Sequence, residues 1–139
     1  MTRMSRKMIR IMTYETFTRN NVIVEEPALA LAPRGRIALN AASTRIFESA
    51  GVKAVKILWD KEKRGIALQA ADRGERDTYS VAFSKGRSAS VTTRAFFRYI
   101  GWTASRRLTV PAKWNPELRI LEAELPARFV GVQQKREGV

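Results

Sequence analysis

Arg34-Gly35-Arg36-Ile37-Ala38-Leu39-Asn40-Ala41-Ala42-Ser43-Thr44-Arg45-Ile46-Phe47-Glu48-Ser49-Ala50-Gly51 is the stretch whose reading decides the fold. Ile37 and Leu39 alternate with Arg36 and Ala38, the period of a half-buried strand. Asn40 can accept from the first free amides of a helix and so act as its N-cap. Within that helix Ala42, Ile46, Phe47 and Ala50 fall on one face, and Gly51 supplies the left-handed residue that ends it. Two alternating strands follow, 53–59 and 65–70, joined by the polar turn Asp60-Lys61-Glu62-Lys63-Arg64. The order is strand, short helix, hairpin.

Working outward, 21–26 reads as a short strand ended by Pro27, and 28–32 as an apolar connector closed by Pro33. Residues 71–77 form a polar linker. They contain an Asp-x-x-x-Arg spacing that Asp60 and Arg64 repeat, which so charged a chain produces by chance. Tyr79, Val81 and Phe83 alternate through a strand over 78–83, and 84–87 is a tight turn. The opening pattern then returns. Residues 86–91 read as a strand, and Thr92 or Thr93 caps a helix through Phe96, Phe97 and Ile100 that Gly101 stops. Strands are expected at 106–110 and 118–125, with a turn at 111–116. Gly51 over Gly101 sets Ile46-Phe47 over Phe96-Phe97, a degenerate duplication at about fifty residues.

The first unit resembles the AbrB/SpoVT class of swapped-hairpin DNA-binding regulators and, with its tandem copy, MraZ. The resemblance rests on Gly35-Arg36-Ile37-Ala38-Leu39, then Ala50-Gly51-Val52, then the hairpin pairs Val55/Ile57 and Ile66/Leu68. It covers 34–70; that family usually has a proline after the first strand, where this chain has Asn40. It implies a mainly β protein with two short helices, its tandem strand–helix–hairpin repeats forming a pseudo-two-fold swapped-hairpin barrel. The expected organisation is a basic arm and connector over 1–33, a first repeat over 34–77, a second over 78–125 sharing its core, and a polar tail over 126–139.

Composition narrows the function. A formal charge of +13 over 139 residues, with a pI near 11.1, exceeds anything folding rewards and suits a polyanionic partner. With no Cys and no His, thiol chemistry, cysteine-held zinc and the commonest general base are excluded, so neither a metal nor a cofactor is expected and the chain is read as non-catalytic. No apolar run approaches the ~20 residues of a membrane span, which points to a cytoplasmic, nucleoid-associated protein and no membrane partner.

Double-stranded DNA is the expected partner. The resemblance carries the contact role to Arg34 and Arg36 around Gly35 and to Lys85 and Arg87 around Gly86. Arg3, Arg6, Lys7 and Arg10 form a candidate phosphate-binding arm. Arg94, Arg98, Arg106 and Arg107 interleave with Phe96, Phe97, Tyr99 and Trp102. That mixture suits stacking of single-stranded bases, but the helical spacing of Phe96, Phe97 and Ile100 suits a core face, with the arginines outside. RNA, and an acidic protein docked as by an antitoxin-like or phage-encoded inhibitor, are the alternative partners, and a homodimer is a further option.

Overall fold

The computed structural model describes residues 26–84 and 88–131. Strand β1 (Ala28–Ala32) is followed by β2 (Arg36–Leu39), helix α1 (Ala41–Ala50), β3 (Ala54–Asp60) and β4 (Gly65–Ala71). The second half runs β5 (Tyr79–Ser80), β6 (Ala82–Ser84), β7 (Ser88–Thr92), α2 (Arg94–Ile100), β8 (Leu108–Asn115) and β9 (Ile120–Glu124). The protein is thus mainly β with two short helices, and strand–helix–hairpin occurs twice. No helix among the described residues is long and apolar enough to cross a membrane.

Local chemistry explains both helices. Asn40 Oδ1 accepts from Ser43 N at 3.0 Å, and Thr93 Oγ1 accepts from Phe96 N at 3.4 Å. Gly51 and Gly101 end them with φ of 71° and 69°. Phe47 on α1, and Phe96, Phe97 and Ile100 on α2, are buried in one continuous core with Leu29, Leu31, Ile37, Val55, Leu68, Val91 and Leu121.

The strands pair antiparallel in the order β5-β3-β4-β9-β8-β1-β2-β7-β6. Because β5 and β6 are successive pieces of chain, the two ends of that order meet and the barrel is nearly closed. A pseudo-two-fold relation runs through it. The first strands of both units pair with each other, Ile37 opposite Val91, and so do their last strands, Leu68 opposite Leu121. The bond from Ala70 N to Arg119 O has its counterpart from Leu125 N to Arg64 O, both 2.9 Å.

The hairpin turns repeat in detail. Asp60 Oδ1 accepts from Glu62 N and Lys63 N, each at 3.1 Å; Asn115 Oδ1 accepts from Glu117 N and Leu118 N at 3.0 and 3.1 Å. Each turn closes on an arginine of positive φ, Arg64 at 55° and Arg119 at 57°. Trp59-Asp60-x-Glu62-x-Arg64 and Trp114-Asn115-x-Glu117-x-Arg119 are therefore one motif, and the Asp60–Arg64 spacing belongs to the turn instead of being accidental.

Further expectations need correction. The connector at 28–32 is strand β1: Leu29 and Leu31 alternate inward and are fully buried, and the small alanines between them fit a strand flanked by β2 and β8. The strand expected over 78–83 breaks at Val81, where the chain leaves β3 for β7; Phe83 ends 41% exposed instead of sharing the inward face. The turn expected at 111–116 is continuous strand, and the real turn follows Asn115. Pro111 is tolerated there because β8 pairs with β1 as far as Pro111 and with β9 from Ala112 onward, so the missing N–H falls at the change of partner. The segment after Leu125 also begins packed: a 3-10 turn over 127–129 sets Phe129 against Trp102 with ring centroids 5.5 Å apart.

The linker at 72–78 is tied by one carboxylate. Glu75 accepts from Asp72 N at 2.7 Å and pairs with Lys56 Nζ at 3.1 Å. The Asp72 amide first, and Lys56 second, hold its carboxyl below the ordinary glutamate range. A depressed folded pKa means this support is present above the unfolded pKa and is lost as pH falls through the folded one. The Asp72 amide shift is expected to follow that titration in acid, with little change in global melting because the pair is exposed.

Phe47 is fully buried, and truncation to Ala is expected to cost ~3–5 kcal/mol in urea unfolding. Tryptophan fluorescence and far-UV circular dichroism should give coincident transitions for the parent, since both units share one core.

Candidate nucleic-acid interface

The site is built where β2 begins. Pro33, Arg34 and Gly35 turn the chain out of β1, with Gly35 N donating to Ala32 O at 3.0 Å. Gly35 has φ of +95°, a region L side chains rarely adopt. Its carbonyl accepts from Thr93 N at 2.6 Å, and Arg36 lies opposite Thr92 in the β2·β7 ladder. The start of β2 is thereby fastened to the start of α2. A Cβ on Gly35 would lie 2.8 Å from Arg94 Cα, so only glycine permits that approach.

Helix α2 is two-sided. Phe96, Phe97 and Ile100 face the core, while Arg94, Ala95, Arg98 and Tyr99 face solvent, Tyr99 being 52% exposed. Between the turn and this helix opens a cleft of about 410 Å³ lined by Pro33, Arg34, Gly35, Arg94, Phe97, Arg98 and Trp102. No acidic residue is among its described lining residues. Among the described residues no hydrogen bond or ion pair engages the side chains of Arg34, Arg36, Arg94 or Arg98; the described salt bridges, Lys56–Glu75 and Arg64–Glu124, lie elsewhere.

Arg34 thus joins Arg94 and Arg98 around the cleft, and Arg36 lies at the same end of the β2·β7 ladder. The antiparallel pairing of the two first strands explains this, since it sets the beginning of β2 beside the end of β7. Arg106 and Arg107 are exposed in the loop before β8, and no described contact ties them to the cleft. Lys85, Arg87, Arg3, Arg6, Lys7 and Arg10 lie outside the described residues. The base-stacking role is not available to Phe96 and Phe97, which are buried; Trp102 is edged by Phe97 at 6.3 Å and by Phe129 at 5.5 Å. The Trp102 Nε1 is itself buried without a hydrogen-bond partner among the described residues, and nothing in the sequence signals this.

Other chemistry is sparse. Ser84 Oγ pairs with Ser88 Oγ at 2.8 Å, and Glu124 meets Arg64 at 3.6 Å. Among the described residues no three acidic side chains converge to hold a metal. Compared with family models, curated proteins and solved structures, the chain matches none.

Replacing Gly35 by Ala combines a left-handed backbone with a clash against Arg94 Cα. The backbone term alone is expected to cost of order 1–3 kcal/mol in denaturant unfolding. Ala at Gly51, where nothing lies within 4 Å of the added Cβ, should cost less despite a φ of 71°.

Proposed function

We propose that this chain is a non-catalytic protein that binds double-stranded DNA, acting as a transcription regulator or DNA-associated factor of the AbrB/SpoVT type. The observation that carries the reading is the gathering of Arg34, Arg36, Arg94 and Arg98 at one end of the β2·β7 ladder, exposed and without carboxylate partners among the described residues. Supporting it are the charge of +13 and the pseudo-two-fold barrel. Guanidinium groups left without counter-charge repel one another, and a phosphate backbone relieves that repulsion while giving up its condensed cations. The arm bearing Arg3, Arg6, Lys7 and Arg10, with Lys85 and Arg87, adds cations of the same use.

The test is fluorescence anisotropy of the full chain against duplex DNA, single-stranded DNA and structured RNA across salt concentrations. Duplex affinity should fall with a log–log slope of about −0.9 per phosphate contacted. Arg34→Ala with Arg36→Ala should weaken it and flatten the slope by roughly two contacts. Deleting the first ten residues should weaken binding equally for all sequences, since phosphate contacts position without specifying. Unchanged duplex binding by the double variant at every salt concentration would show the face to be wrong. Tight binding to RNA alone, or to an acidic protein with no nucleic-acid affinity, would replace the DNA reading.

A further inference from the structure

We infer that the cleft between the Gly35 turn and α2 is a discrete phosphate site, which takes one phosphate or diphosphate group on the guanidinium groups of Arg34, Arg94 and Arg98. For its physiological source the site rests on the DNA reading, since a backbone phosphodiester is one supplier; a free organic phosphate is the other. Its chemistry rests on the structure alone.

The first support is composition: three arginines border one concavity of about 410 Å³ that has no acidic residue among its described lining residues. The second is the lack of internal partners, as none of the three side chains is hydrogen-bonded or ion-paired among the described residues. Like charges brought to one concavity without counter-charge destabilise the empty state, and a divalent or trivalent anion removes that penalty while gaining charge-assisted bonds. The third is rigidity. The turn carrying Arg34 is pinned to the helix carrying Arg94 and Arg98 by the Thr93 N to Gly35 O bond at 2.6 Å, and Phe97 and Trp102 provide a firm floor. The backbone attachment points of the three arginines are thus fixed, and binding costs only the rotamer freedom of their side chains. The indole N–H of Trp102 is closed off from solvent and is not among the donors. Nor does the helix end itself account for the site, because α2 has only seven residues and Thr93 already serves its first turn.

The pseudo-symmetric helix makes a built-in control. α1 presents Arg45 beside a cleft lined by Pro27, Ile46, Ser49, Ala50 and Trp114, where Arg45 is the one arginine among the described lining residues and the neighbouring Arg119 is already engaged, donating to Ala50 O at 3.1 Å. A general attraction of anions to a basic protein would involve Arg45 as much as Arg98; a discrete site would not.

The experiment is isothermal titration of the full chain with sodium pyrophosphate at constant ionic strength, in phosphate- and sulfate-free buffer. The parent should bind saturably at one site. Arg94→Gln and Arg98→Gln should each weaken binding by about tenfold or more, while Arg45→Gln binds as the parent. Melting curves of all four proteins confirm that each is folded, since the substituted residues are exposed. Competition by a short duplex assigns the site to a backbone phosphate, whereas saturable pyrophosphate binding untouched by duplex assigns it to a free phosphate ligand; either supports the site, and the second does so even where the DNA reading fails. Heat that does not saturate, or equal binding by parent and both α2 variants, or an equal loss in Arg45→Gln, overturns it.

Discussion

Each helix of this barrel is roofed by the other unit's hairpin. Phe47 of α1 meets Trp114 of β8 edge-on at 6.1 Å, and Phe96 of α2 meets Trp59 of β3 edge-on at 5.7 Å. A strand–helix–hairpin unit of this length has too few strands to cover both its faces, so the large aromatic that shields a helix comes from its partner unit. Everything else follows from that exchange. The hairpins must cross to the far side, which forces the last strands of the two units together, and the first strands close the ladder opposite. Aromatic edge contacts add ~0.5–1.5 kcal/mol beyond area burial, but their larger role is to make neither half self-sufficient.

The turns that follow those tryptophans show how strictly the arrangement is held. Asp60 and Asn115 fold their own turns with the same pair of amide bonds, and Arg64 and Arg119 take the same left-handed backbone. Both arginines then reach across units, Arg64 Nε to Leu125 O at 3.2 Å and an Arg119 guanidinium nitrogen to Ala50 O at 3.1 Å. Side chains and main chain therefore fasten each hairpin tip to the other half twice over.

Much of this was readable from residues. The Ile37/Leu39 alternation, the Asn40 cap and the Gly51 stop announce the first unit, and Phe96, Phe97, Ile100 and Gly101 announce the second helix. The duplication is blurred because its interval is not constant: 53 residues between the caps Asn40 and Thr93, 50 between Gly51 and Gly101, and 55 between Asp60 and Asn115. No single offset aligns all three, which hides the shared Trp-Asp/Asn-x-Glu-x-Arg motif. Strand β1 was missed because five alternating alanines and leucines carry no polar face; only its position between β2 and β8 makes them a strand. Pro111 and Val81 misled for one shared reason, namely that a strand can change partners without turning. At the site, Arg34 and Arg94 are far apart in sequence, and only the pairing of β2 with β7 makes them neighbours.

The dyad holds in the core and the hairpin turns but lapses around the helices and the strands that precede them. After the cap Asn40 comes Ala41, whereas after the cap Thr93 comes Arg94; α1 has ten residues and α2 seven; β1 is continuous while its counterpart is split into β5 and β6. A homodimer on a true axis shows every arginine twice and cannot tell left from right. Joining the two copies in one chain lets each surface drift alone while the core stays matched. The result is a body whose two ends differ, so that any ligand spanning both units would meet it in one direction only.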